Sequence, residues 1–462
     1  MIAKALERQV LSVLAFWRAL SLDARVVGVL GVGNWLLLFF NHTTVQATRD
    51  DVLWRLFPGV AGPLWLALCG ALAIAYPLRD RRSGPAFTAR GRALHLAAIV
   101  VAFAVLPTLA SIVLRETGKP YTYVHDGAIM VEEAARKLLH GQNPYGADYL
   151  DTPLVFWPMV NNPALYHFTY FPDLFLITAP FTALFDRLGL FWDERYLYLP
   201  AYLATCAVAP LLVSGADRRL ALAAAIALNP QLFPFVVEGR NDFFVLAFVF
   251  GGLVLLQRER RSWALLLLAM AASAKLHAAL LLPFVAVYLI ASRRPTSLRA
   301  AWSSLWRPAW PASLLMAAVF LPFLTHDFGA FWDDVVRYNA GGAAWSYPIA
   351  GMGFSALLLV LGIIPSRQAD FPFALFELAA AVPLGIVALR ALWREPTLAR
   401  MLLGHAVTLL AFLFFGRYFH GNYAGYVAAL ATPALFLRAG APPPRRPRPP
   451  AAATAFVGAT AE

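Results

Sequence analysis

Charge is scarce in this chain of 462 residues: Asp, Glu, Lys and Arg make up 14%, against 60% for hydrophobic residues. Soluble globular chains carry roughly 25% charged residues. A large water-soluble core is therefore excluded, and a polytopic membrane protein is expected. Cysteine is nearly absent. Cys69 and Cys206 both lie in apolar runs and give no disulfide framework. There is no internal repeat, and no His, Cys or Asp spacing specifies a metal site. Neither metal nor cofactor is expected. The formal net charge of +12 is not a nucleic-acid signal, because the basic residues sit mainly in short turns between apolar runs, as the positive-inside rule expects. Membrane lipids are the expected surroundings, and no nucleic-acid partner follows.

What the chain does have is an alternation of apolar runs and polar turns. Lys4, Arg8 and Arg18 interrupt the first twenty residues, which lack a clean hydrophobic region followed by a cleavage site. Residues 1–25 therefore read as an interfacial segment and not as a removable signal peptide. The first spans are expected near 26–40, 60–76 and 93–114. Between Arg79 and Arg92 five arginines face one aspartate, which places that turn in the cytoplasm. Residues 115–170 then face outward, and their four Lys or Arg against six Asp or Glu give −2. Apolar segments continue to residue 437, and the expectation is an all-α polytopic helix bundle of roughly twelve or thirteen membrane segments. Parity between the two faces fails at 171–219 and again near 349–391, so a re-entrant segment is expected in each. The sequence APPPRRPRPP within 438–462 reads as a disordered cytoplasmic tail. The Arg- and Ala-rich composition points to a bacterial inner membrane.

The longest hydrophilic interval is Tyr121 to Asp151. Asp126-Gly127 and Gly141 bracket a short helix, with Val131, Ala134, Ala135 and Leu138 as its apolar stripe. Glu132 and Glu133 stand four residues ahead of Arg136 and Lys137, which predicts local ion pairs. An amphipathic juxtamembrane helix along the membrane surface is expected. Asp126 on residue type alone is a helix cap.

Ionisable groups next to a membrane are costly, so their convergence marks a functional site. On the outer side fall Asp126, Asp148 and Asp151; Glu238, Arg240, Asn241 and Asp242; Lys275 and His277; His326, Asp327 and Arg337; Arg417 and His420. Tyr121, Tyr123, Tyr145, Tyr166, Tyr170, Trp345, Tyr347, Tyr418 and Tyr423 lie among them. Aromatic rings beside carboxylates bind sugars, although Tyr and Trp at an interface also form ordinary anchoring belts.

Four stretches carry a family resemblance. The first is His125-Asp126-Gly127 followed by Leu138-Leu139-His140-Gly141-Gln142-Asn143-Pro144-Tyr145. The second is Tyr170-Phe171-Pro172-Asp173-Leu174-Phe175, with Ala179-Pro180 beyond it. The third is Asn229-Pro230 ahead of Glu238-Gly239-Arg240-Asn241-Asp242, and the fourth is Ala274-Lys275 ahead of Leu282-Pro283. From about residue 93 to 290 the chain resembles the GT-C superfamily of integral-membrane glycosyltransferases, in particular the bacterial alpha-mannosyltransferase-like branch. Pro172-Asp173 departs from the family's Pro-Pro, and Gly239-Arg240-Asn241-Asp242 from its Gly-His-Asn-Asp.

The resemblance implies transfer of a hexose, mannose by the branch concerned, from a polyprenyl-phosphate donor to a lipid-linked or cell-envelope glycan acceptor at the outer face. It implies that the acid opening the first outer loop, here Asp126, is the general base. The substrate-binding candidates are His125, Asn143, Tyr145, Asp148, Asp151, Tyr170, Arg240, Asn241, Asp242, Lys275, His277, Arg337, Arg417 and His420. Among them Arg240, Lys275, Arg337 and Arg417 suit a leaving phosphate through charge-assisted bonds, while lipid headgroups offer such side chains an ordinary resting place. A transporter or flippase of lipid-linked sugars is the alternative. It is disfavoured by the lack of repeats and of paired broken helices. An O-antigen ligase or polymerase would instead place its large outer loop later in the chain.

Overall fold

The computed structural model describes residues 2–44, 60–159 and 161–437; the expected tail at 438–462 lies outside them. The described residues are 75% helical. In order the helices are α1 (Ile2–Ala19), α2 (Leu22–Thr44), α3 (Ala61–Ser83), α4 (Ala89–Thr117), α5 (Asp126–Leu139), α6 (Asp173–Leu188), α7 (Arg195–Val208), α8 (Ala216–Ala227) and α9 (Phe233–Glu238). They continue with α10 (Asp242–Gln257), α11 (Arg261–Ala274), α12 (Leu282–Ala291), α13 (Leu298–His326), α14 (Phe328–Trp332), α15 (Phe354–Val360), α16 (Phe373–Arg394), α17 (Leu398–Phe414) and α18 (Gly421–Phe436). Among the described residues, β1 (Ala350–Gly351) and β2 (Tyr418–Phe419) form the one strand pairing, and it is parallel.

Five of the described helices are long and apolar enough to cross a membrane: Leu22–Phe40, Ala61–Ala86, Ala89–Thr117, Leu298–His326 and Phe373–Arg394. Side chains fix the starts of α4, α13 and α17. Thr88, Ser297 and Thr397 accept the amides of Gly91, Ala300 and Arg400 at 3.2 Å each, satisfying donors that a helix leaves open. Close packing uses small residues. Gly31 of α2 faces Ala73 of α3, and Trp35 of α2 lies over Gly70.

Ion pairs and hydrogen bonds sort the helix ends onto two faces. On the basic face Arg92 reaches Asp23 and Asp217, both at 2.7 Å, the Ser21 amide donates to Asp80 at 2.9 Å, and Gln257 donates to the Leu212 carbonyl at 3.0 Å. The opposite face gathers the C-terminal ends of α4 and α11 and the N-terminal ends of α7, α10 and α18, through Arg115 to Asp193 and Lys275 to Asp242 and Asn422 to Asp242.

This sorting resolves both parity conflicts. The segment expected as a span near 171–185 does not cross. Thr178 and Phe181 of α6 touch Glu194 and Trp192, which lead into α7 on the polar face, so α6 begins and ends on that face packed against α5, and α7 runs from there toward the basic face. In the second conflict, residues 349–372 go out and come back. The Ile349 amide donates to the Arg367 carbonyl at 2.7 Å, and the Arg367 side chain returns a bond to the Ile349 carbonyl at 3.0 Å. Helix α16 then crosses. Helix α2 begins at Leu22, inside the stretch 1–25 expected as an interfacial segment.

The expected local pairs on α5 are not what forms. Glu132 is buried and takes a bidentate contact from Arg115 at 2.7 and 2.8 Å. Glu133 pairs with Arg136 at 2.7 Å, and Lys137 with Asp151 at 3.3 Å. Asp126 to Glu132 of α5 are all buried, because α6 packs over a face that an isolated amphipathic helix would expose.

Candidate active site

Where α5, α10, α13, α14, α16, α17 and α18 approach one another on the polar face they enclose a cavity of about 580 Å³. His125, Asp126, Tyr170, Arg240, Asn241, Asp242, Lys275, His277, Arg417 and His420 all line it. The sequence-predicted candidates Asn143, Tyr145, Asp148, Asp151 and Arg337 do not. Asp148 is exposed, with its carboxylate on the Leu150 amide at 3.2 Å. Asp151 is exposed and paired with Lys137. Asn143 accepts the Tyr145 amide at 3.2 Å and shapes a turn. Arg337 is exposed on Asp333 at 2.5 Å. Tyr145 is 2% exposed and donates to the Tyr170 carbonyl at 2.9 Å, supporting a cavity residue from behind.

Asp126 stands at the first position of α5, so His125, and not Asp126, is the cap. The Gly127 amide donates to Asp126 Oδ1 at 2.8 Å and to His125 Nδ1 at 3.0 Å, and Nδ1 lies 2.8 Å from the same Oδ1. A neutral ring accepts the amide proton; a ring protonated at Nδ1 donates to the carboxylate. Burial alone raises the Asp126 carboxyl; the His125 contact, the Arg240 charge and the Gly127 amide outweigh it and hold the group below its usual value. Among the described residues Oδ2 has no hydrogen-bond partner, and it is left to the cavity. Gly127 is required here by space: a Cβ would stand 2.6 Å from the Tyr170 hydroxyl.

Facing Asp126 is the turn between α9 and α10. Arg240 donates to Glu238 at 2.9 Å and to Asn422 at 3.3 Å, and stacks on Phe235 at 4.3 Å. Lys275 donates to Asn241 at 2.9 Å and to Asp242 at 2.7 Å, while Asn422 donates to the other Asp242 oxygen at 3.0 Å. Each cation is held by an acid and each keeps an uncommitted N–H: the second guanidinium amino group of Arg240 and one ammonium proton of Lys275. His420 is pushed down to about 4 by burial and by Arg240 and His125, so its ring is neutral at physiological pH. Arg417, predicted as a phosphate partner, donates to the carbonyls of Tyr347 at 2.6 Å and Ala369 at 3.2 Å and ties down the returning loop.

A buried ion network braces this arrangement. Arg195 holds Asp193 at 2.7 and 2.8 Å, and donates to the carbonyls of Tyr123 at 2.7 Å and Val237 at 2.8 Å. It thus grips the two strands of chain that deliver His125 and Glu238, which are themselves joined by the His125 amide and Glu238 carbonyl at 2.7 Å. Sequence reading missed this network and also Asn422. An Asp-Glu-Arg run ahead of an apolar segment was the available signal for the network; Asn422 carried none. His167, Asp333 and Asp334 stand close enough together to hold a cation. Both His167 ring nitrogens are engaged, by Asp334 at 2.7 Å and the Ala344 carbonyl at 2.5 Å, and Asp334 also accepts the Gly146 and Phe168 amides. That cluster joins the loop before α6 to the segment after α14.

Fold and site together define a membrane helix bundle with a polar cavity at one face, walled on one side by apolar side chains. Residues 170–291 match the family model described as alpha-(1->6)-mannopyranosyltransferase, N-terminal domain. The match covers α6 to α12, including Arg240, Asp242 and Lys275, and supports a glycosyltransferase of the mannosyltransferase type. No curated protein and no solved structure matches the chain significantly.

Proposed function

We propose that the protein transfers a mannosyl group from a polyprenyl-phosphate donor to a hydroxyl of a lipid-linked or cell-envelope glycan, at the outer face of a bacterial inner membrane. The observation that carries this reading is one cavity in which Asp126 keeps an unpartnered carboxylate oxygen opposite Arg240 and Lys275. Asp126 Oδ2 accepts the proton of the attacking hydroxyl. The new bond joins that oxygen to the anomeric carbon as the bond from that carbon to the phosphate oxygen breaks. The departing phosphate gains negative charge, and the uncommitted N–H groups of Arg240 and Lys275 meet it. A lipid donor suits the wall made by Phe320, Phe328, Phe331, Trp332, Val335 and Val336, where Phe328 and Trp332 are also 58% and 45% exposed.

Transport of lipid-linked sugars is the competing reading; the mannosyltransferase match favours transfer. Proteoliposomes containing the purified protein, polyprenyl-phosphate mannose and octyl α-mannoside separate the two. The expected result is a disaccharide product. Movement of the donor between leaflets with no product would make the protein a transporter.

A further inference from the structure

The cavity holds a carboxylate that the mechanism above does not use. Glu377 lies in the second turn of α16, a helix that is otherwise apolar over its outer half. It lines the cavity with Ala374, Phe412, Leu413, Gly416 and Tyr418. Asp126 and Asp242, the other two acids of the cavity wall, each touch a positively charged or titratable neighbour: His125 for Asp126 and Lys275 for Asp242. Glu377 makes no ion pair and no hydrogen bond among the described residues, although it is only partly exposed. An unpaired carboxylate on a membrane helix is costly unless it serves a ligand. Space has been kept for it. A Cβ on Gly416 would stand 2.7 Å from Glu377 Oε1, so any larger residue there would push the carboxylate aside.

Its chemistry selects a ligand. A carboxyl group with no cation beside it offers a phosphate no charge partner, so the phosphate end of a donor belongs with Arg240 and Lys275, which line the same cavity. Two carboxylate oxygens without partners accept hydroxyl protons, and neighbouring hydroxyls of a sugar ring present them in pairs. The wall beside Glu377 adds Tyr418 and the apolar Phe412 and Leu413, an aromatic and apolar surface of the kind a sugar ring packs on. We infer that Glu377, with Gly416 giving it room, binds hydroxyl groups of the acceptor sugar and fixes which hydroxyl is presented to Asp126. The inference rests on the glycosyltransferase reading for the word acceptor, but the polyol site itself is testable without transfer.

Calorimetry in detergent provides that test, with octyl α-mannoside as a probe of the polyol end and dodecyl phosphate as a probe of the cationic end. The wild-type protein is expected to bind both. Glu377→Gln keeps shape and removes the charge, and is expected to weaken octyl α-mannoside about tenfold, the scale of a charge-assisted hydrogen bond, with dodecyl phosphate binding unchanged. The unchanged phosphate binding also serves as the check that the variant is folded. Gly416→Ala is expected to weaken the glycoside in the same way. Glycoside binding that is absent in the wild type, or equal in wild type and Glu377→Gln, overturns the inference, as does a loss of dodecyl phosphate binding equal to that of the glycoside. Should wild type and variant behave as expected here while the proteoliposomes yield no disaccharide, the sugar site stands and the transferase reading fails.

Discussion

Lys275 and Arg240 are both cations beside an acid, yet they differ in what their loss does. Lys275 and Asp242 are buried together, and removing one partner of such a pair costs about 3–5 kcal/mol because the other charge is stranded. Lys275→Met alone is therefore expected to lose folded protein, whereas Lys275→Met with Asp242→Asn is expected to recover folding without recovering donor use. Gel filtration and donor kinetics measure the two effects; a fully active double variant would remove Lys275 from the site. The Arg240 and Glu238 pair is about one-fifth exposed on each side, so Arg240→Gln is expected to fold and to raise the donor KM by roughly tenfold, one charge-assisted bond. An unaltered donor KM would assign Arg240 to packing alone. At this scale the sequence was readable where acids and bases cluster, as around Asp126, Arg240 and Lys275. It was unreadable where neutral or solitary residues matter, because Asn422 and Glu377 break no pattern until α18 is brought beside α10 and α16 to the cavity wall.

Helix α5 shows the limit of local rules at the level of elements. Its boundaries and apolar stripe follow from sequence, with Gly141 at φ +76° just beyond its end. Its ion pairs do not, because Arg115 and Asp193 arrive from elsewhere and a buried bidentate contact outcompetes a solvated i,i+4 pair worth about 0.3–0.5 kcal/mol. The loop that follows α6 contributes a second consequence. Glu194 is pushed up to about 8 by burial, against the bonds from Thr178 and Trp192 and with the nearby Glu132 and Asp193 adding to the rise. In the unfolded chain the same carboxyl ionises near its ordinary value of 4.5. Between these two values the folded state holds the extra proton, so this group makes stability fall as pH rises from about 4.5 to about 8, with no further change above. Melting temperatures across that window should fall less steeply for Glu194→Gln than for wild type. Parallel curves would show that Glu194 ionises normally.

For the molecule as a whole, apolar runs and arginine turns were enough to read a polytopic all-α bundle, while the two parity conflicts needed tertiary contacts to resolve. Nothing in the composition of residues 171–185 distinguishes a helix that crosses from one that lies against α5. The contacts of Thr178 and Phe181 make that distinction. Orientation is testable with an impermeant thiol reagent in a Cys206→Ser background, since Cys69 is buried and Cys206 is half-buried. Gln142 and Ser83 are exposed on opposite faces. In intact cells Gln142→Cys is expected to label and Ser83→Cys only after lysis; the reverse pattern would turn the cavity toward the cytoplasm.

The account rests most heavily on Asp126 as the base, and substitution by Asn addresses it directly. Asn retains an oxygen for the Gly127 amide but takes no proton at physiological pH. With polyprenyl-phosphate mannose and octyl α-mannoside, Asp126→Asn is expected to fold and bind both substrates while kcat falls by roughly 100-fold or more, the yield of general-base catalysis. Wild-type activity is expected to hold steady above the ordinary carboxylate range and to fall only below it, because Asp126 is held ionised. An Asp126→Asn enzyme that folds and keeps its full kcat would contradict the proposed mechanism.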